Sequence, residues 1–107
     1  MFTRIVEITA KPGKAAELFL TLHNKVLPIL RKQSGFTDVI VLQSDADPEV
    51  LLEMSFWKSK ADAERFNRME FTRIAESIQS LIQAIPQVRT FNVEQSTIQR
   101  VSAAKAA

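Results

Sequence analysis

The chain has no cysteine and no tyrosine, and among its 107 residues only one histidine, one tryptophan and two glycines. Without cysteine there can be no disulfide, thiolate nucleophile or cysteine-rich metal site. One histidine, His23, is too few for a zinc centre built from protein ligands alone, so no metal is expected. No run of apolar residues exceeds five, far short of the ~20 needed for a membrane-spanning helix. The N-terminus, "MFTRIVEITA", alternates in polarity and lacks the apolar stretch of a signal peptide. The net charge is +2, and no window gathers the block of like charges that marks a nucleic-acid-binding tail. Gly13 and Gly35 stand apart, so no glycine-rich loop can cradle a phosphate. These absences predict a soluble, cytoplasmic protein that binds neither nucleic acid nor membrane.

What remains is 46% hydrophobic, enough for one core in a domain of this length. "FTRIVEITA" (2–10) is rich in β-branched residues and predicts a strand, ended by the turn "KPGK". Over 14–35, Ala15, Leu18, Leu22, Val26 and Ile29 recur at helical spacing. Pro28 should kink this helix and Gly35 end it. "FTDVIVLQS" (36–44) and "VLLEMSFW" (50–57) predict two further strands, and the short loop between them makes an antiparallel hairpin. Ser59 and Asp62 form a capping box that opens a short helix to about Asn67. A longer helix follows over 71–85, with Phe71, Ile74, Ile78, Leu81, Ile82 and Ile85 on one face and Pro86 as its stop. "QVRTFNVEQ" (87–95) predicts the last strand. Residues 96–107 form a separate tail, either mobile or a short appended helix.

The order β-α-β-β-α-β predicts a domain over 1–95 of the α+β, ferredoxin-like class: a four-stranded antiparallel sheet with both helices on one face. Such a sheet has a second face, and "VIVL" and "VLLEM" are apolar on both sides. A second copy of the chain is the natural cover, so the expected assembly is a homodimer packed sheet against sheet.

"PGK" after the first strand, "VLPILRKQSGF" leading into the second, and "SFWKSKADAERF" with a following phenylalanine resemble the antibiotic biosynthesis monooxygenase family of dimeric α+β barrels. The resemblance spans roughly residues 2–95, and its most specific part starts at Trp57. It implies oxidation of a small aromatic or quinol-like substrate by molecular oxygen, with neither metal nor flavin as cofactor. Relatives of the same type isomerise small carbonyl compounds, degrade haem, or have no assigned activity. This chain departs from the pattern in several places. Phe66 stands where many members have a histidine, and Glu70 where a second histidine often precedes the phenylalanine, here Phe71. The haem-degrading branch's tryptophan and histidine fall at Phe66 and Ala75, and its strand-one asparagine near Val6.

The candidate residues each have two readings. His23 projects from within the apolar side of its helix. There it is either a neutral base facing a cavity or a partly buried histidine bonded to backbone. Trp57 is either an aromatic wall on which a flat substrate stacks, with Phe66 beside it, or an anchor locking strand to helix. Glu70, Asn67 and Arg73 cluster where the short helix is expected to give way to the longer one. Glu70 is then a carboxylate that acts as base or orients His23 and Asn67 a substrate contact, or Glu70 merely suits a helix start. Arg4 is expected to form a cross-strand or interface ion pair with Glu7. The leading expectation is a cofactor-independent monooxygenase using His23 and Glu70, with Trp57, Phe66 and Asn67 holding the substrate. The alternatives are a non-catalytic dimeric module that binds a small ligand, or an isomerase of a small carbonyl compound.

Overall fold

The computed structural model describes residues 1–97, so most of the expected tail (96–107) lies outside the described residues. Four strands form one antiparallel sheet: β1 (Phe2–Thr9), β2 (Phe36–Gln43), β3 (Val50–Trp57) and β4 (Gln87–Asn92). Their spatial order is β2-β3-β1-β4, the split βαβ arrangement expected from the sequence. Strand alternation divides the side chains between two faces. Phe2, Val6 and Ile8 of β1 and Leu51 and Trp57 of β3 are buried on the helix side. The register pairs Phe2 with Trp57, Arg4 with Ser55, and Val6 with Glu53. Arg4 and Glu53 therefore share the helix-facing side. Glu7 lies on the opposite face, which rules out the expected Arg4–Glu7 pair.

The first helical segment has three parts: α1 (Ala15–Thr21), a π-helical turn (Leu22–Val26) and α2 (Leu27–Arg31). Pro28 explains the irregularity, since its ring would clash with the carbonyl four residues earlier and it donates no hydrogen bond. The wider turn before Pro28 absorbs that mismatch. Leu18, Leu22, Val26 and Leu30 still reach the core, whereas His23 is exposed.

The second helical segment differs from expectation. A single helix, α3 (Lys60–Ile78), runs unbroken through Asn67–Glu70, because no glycine or proline interrupts "ERFNRMEFTR". It begins as the capping box predicts: the Asp62 amide donates to Ser59 Oγ, and the Ser59 hydroxyl donates to Asp62 Oδ2 at 2.9 Å. A 3-10 turn (Gln79–Leu81) ends it, well short of Ile85. Ile82 is extended and bridges to Ala10, so Ile85 leaves the core and is 86% exposed. Among the described residues, no helix is long and apolar enough to cross a membrane.

Trp57 joins the layers. It is fully buried, with its ring edge-on to Phe36 at 5.7 Å and tilted against Phe66 of α3 at 5.1 Å. Its Nε1–H donates to Ser55 Oγ at 2.9 Å. Gly35 brings the start of β2 against the start of α3, where the Lys58 amide donates to the Gly35 carbonyl at 2.8 Å. Gly35 has φ +80°, and a β-carbon there would lie 2.6 Å from Asp62 Cβ. We expect Gly35→Ala to cost about 1–3 kcal/mol, from left-handed backbone strain and loss of the Asp62 cap. Urea unfolding of the variant beside the parent would measure it, and an unchanged midpoint would contradict this account.

Candidate functional site

Two charged residues interrupt the apolar alternation on the inner face of the sheet. Arg4 is 2% exposed and Glu53 7%. An unpaired buried charge is costly, so its surroundings matter. The Arg4 guanidinium lies 4.4 Å from the Phe71 ring centroid and 5.4 Å from that of Phe66, a cation–π arrangement between two rings of α3. Its Nη2–H donates to Asn67 Oδ1 at 2.8 Å. Trp57 holds Phe66, Phe66 and Phe71 hold Arg4, and Asn67 fixes the direction of its guanidinium.

Glu53 lies across the sheet, opposite Val6 on one side and Val41 on the other. Among the described residues, no ion pair within 4.0 Å links it to Arg4, although the two attract through space. Burial pushes its carboxyl above the ordinary carboxylate range, and the charge of Arg4 only partly offsets this.

Three spaces border this charged layer. A groove of about 390 Å³ opens beside the π turn, with Phe19, Leu20, Leu22, Leu27 and Val41 as walls, His23 at one side and Glu53 among its lining groups. Between α3 and the sheet, where Arg4, Glu53, Phe66 and Phe71 meet, side chains leave only about 10 Å³. Near the start of α3, a pocket of about 210 Å³ is lined by Arg4, Lys60, Asn67, Val88 and Thr90. A hollow of about 480 Å³ beside Ile82–Pro86 is larger, but none of the buried charged groups borders it.

The expected site residues are distributed over this arrangement. His23 lines the open groove. Phe66 borders the nearly filled interior, and Asn67 the smaller pocket. Trp57 stands behind Phe66 in the core and borders none of these spaces. Glu70 borders none of them either, and forms an ion pair with Arg73 one turn further along α3. The expected partnership of Glu70 with His23 is therefore not formed. Glu53 takes the place beside the His23 groove, and sequence reasoning missed it. The signal was present in "VLLEMSFW", where Glu53 shares its parity with Leu51 and Trp57.

A raised carboxyl pKa makes the folded protein bind more protons than the unfolded chain. Stability should then fall as pH rises from the unfolded value, about 4.3, toward the raised folded value. Glu53→Gln should accordingly be more stable than the parent at pH 7, and this advantage should vanish below about pH 4. Denaturant midpoints at the two pH values test this. A parent more stable than the variant at pH 7 would show Glu53 to be stabilised as an anion.

The comparisons agree with this fold. A structure of PA3566 from Pseudomonas aeruginosa is 27% identical, covering 84% of this chain and 90% of its own, with a TM-score of 0.67. NE2512 of Nitrosomonas europaea, described as a protein of unknown function, is 18% identical, covering 94% and 95%, with a TM-score of 0.77. A variant of SnoaB, a cofactor-independent oxygenase from Streptomyces nogalater, is 15% identical, covering 92% and 97%, with a TM-score of 0.74. None of the curated proteins matches significantly. The family model "Antibiotic biosynthesis monooxygenase" matches residues 1–84; with the ferredoxin-like sheet and helices already described, the chain belongs to that family.

Proposed function

We propose that this protein is a cofactor-independent monooxygenase that oxidises a small, flat, aromatic or quinol-like substrate in the groove beside His23. The observation carrying this reading is one buried carboxyl, Glu53, bordering an otherwise apolar groove. Apolar walls with a few convergent polar groups suit such a ligand. SnoaB, a cofactor-independent oxygenase that shares the fold, supports the reaction class.

In this reading the Glu53 carboxylate takes the proton from an acidic C–H or O–H of the substrate. Burial makes it a stronger base than a solvated carboxylate. His23 orients the substrate at the groove edge. The resulting carbanion passes one electron to molecular oxygen, and the radical pair combines to form a C–O bond. The peroxide recovers a proton from Glu53. Loss of water then leaves a new carbonyl, with one oxygen atom in the product and the other in water. Both electrons needed to reduce the second oxygen atom come from the substrate. Phe66 and Asn67, on the Arg4 side, hold the charged layer in position rather than touching the substrate.

A binding module without catalysis is the second reading. It is favoured by the interior between α3 and the sheet, filled to within about 10 Å³. The assembly proposed for either reading is a homodimer through the outer face of the sheet. Ile40 (37% exposed), Leu42 (43%) and Phe91 (47%) form an apolar surface there that a second copy would cover.

Oxygen uptake on a panel of quinols and anthrones tests the reaction. Parent protein should consume oxygen, Glu53→Gln should lose at least 100-fold in rate, and His23→Ala about tenfold, as expected for a general base and an orienting group. Equal rates for parent and Glu53→Gln would overturn the assignment of the base. Turnover of a carbonyl substrate under nitrogen would assign an isomerase instead. Sedimentation equilibrium should give twice the chain mass, and Leu42→Lys should halve it. A monomeric parent would overturn the dimer.

A further inference from the structure

The smaller pocket beside α3 has chemistry that the oxygenase reading does not use. Arg4, buried in the sheet, contributes to its lining. A guanidinium has five N–H donors and keeps its proton inside proteins, and among the described residues one of these donors is engaged, by Asn67. Phe71 and Phe66 pack against it, and an acceptor entering from the pocket would meet its N–H fork, a geometry that carboxylates favour. Lys60 and Glu64 also line the pocket and lie 3.8 Å apart, so their charges largely cancel. Glu53 makes no ion pair with Arg4 within 4.0 Å. Among the described residues, this positive charge has no anion within 4.0 Å.

The remaining walls set the ligand's shape. Phe2, Ala63 and Val88 are apolar, and the Thr90 hydroxyl is the remaining polar group. At about 210 Å³, the pocket is smaller than the roughly 300–1,000 Å³ typical of drug-sized ligands. A single positive edge suits a monoanion better than a phosphate dianion.

We propose that this pocket binds a small monocarboxylic acid with a flat apolar body, its carboxylate on the Arg4 edge and its ring between Phe2, Ala63 and Val88. The site is separate from the His23 groove, and the proposal stands whether or not oxygenase activity is found.

Methyl-labelled protein titrated with benzoate tests the proposal, with benzyl alcohol as the neutral analogue. Benzoate should move the methyl signals of Ala63 and Val88 and leave those of Leu20 and Leu27 in place. Benzyl alcohol should bind at least tenfold more weakly. Asn67→Asp presents Arg4 with a carboxylate of its own, and should weaken benzoate at least tenfold. Asn67 is exposed although its Oδ1 accepts from Arg4, and aspartate keeps the same shape, so this variant changes the charge beside Arg4 with little change in packing. Arg4→Gln should abolish binding while the methyl spectrum stays dispersed. Equal binding of acid and alcohol, shifts confined to the His23 groove, or no shift at millimolar benzoate would each overturn the site. None of these results bears on the oxygen-uptake comparison of parent and Glu53→Gln.

Discussion

Two charges are held inside a layer that would otherwise be apolar, and the architecture around them meets that cost in different ways. Arg4 is solvated by protein: two aromatic faces and an amide oxygen replace water. Glu53 receives much less. It has an attraction through space from Arg4 and a border on the open groove. Burial lowers the Arg4 pKa from its ordinary value, although a guanidinium still keeps its proton, and it makes the Glu53 carboxylate hold a proton more tightly. A sheet that placed both groups in direct contact would have formed a quiet ion pair. Keeping them apart leaves a cation on one side of α3 and a basic carboxylate on the other.

The π turn determines what the basic side can do. In an uninterrupted α-helix His23 would stand roughly 100° round from Leu22, beside the inward stripe traced by Leu18, Leu22 and Val26. Pro28 prevents that regular continuation, and the widened turn lets the neighbouring leucines stay buried while His23 leaves the core. The groove opens between this turn and the sheet. Its apolar walls are side chains that the core does not fully use: Leu20 is 61% exposed, and Phe19 only partly buried.

The sheet, its order and its helix-covered face were legible in the sequence because they rest on alternation, helical spacing and turn residues. The capping box at Ser59 was equally legible, since it is local chemistry, whereas the helix before Gly35 ends at Arg31, short of the expected stop. The supposed break at Asn67–Glu70 was not real. A cluster of polar residues does not interrupt a helix that contains no glycine or proline. His23 was read as facing either a cavity or the backbone; it is exposed and lines the groove beside the π turn. Glu53 was missed because "VLLEMSFW" reads as a continuous apolar strand, although its parity places the one carboxylate inward. Arg4 was assigned to Glu7 by sequence proximity, but residues three apart on a strand face opposite ways.

Trp57 illustrates how a structural role and a functional one can be joined. As a wall it would need to meet ligand, and it borders none of the spaces next to the charged layer. As an anchor it acts at a distance: Phe36 and Phe66 pack on its ring, Phe66 lies under the Arg4 guanidinium, and Ser55, which accepts from Trp57, donates to the Arg4 carbonyl at 3.3 Å. The same indole therefore touches both the side-chain and the main-chain support of Arg4. Removing it would do more than open a cavity. It would free the aromatic ring that keeps a buried cation in place, and with it the electrostatic setting of Glu53.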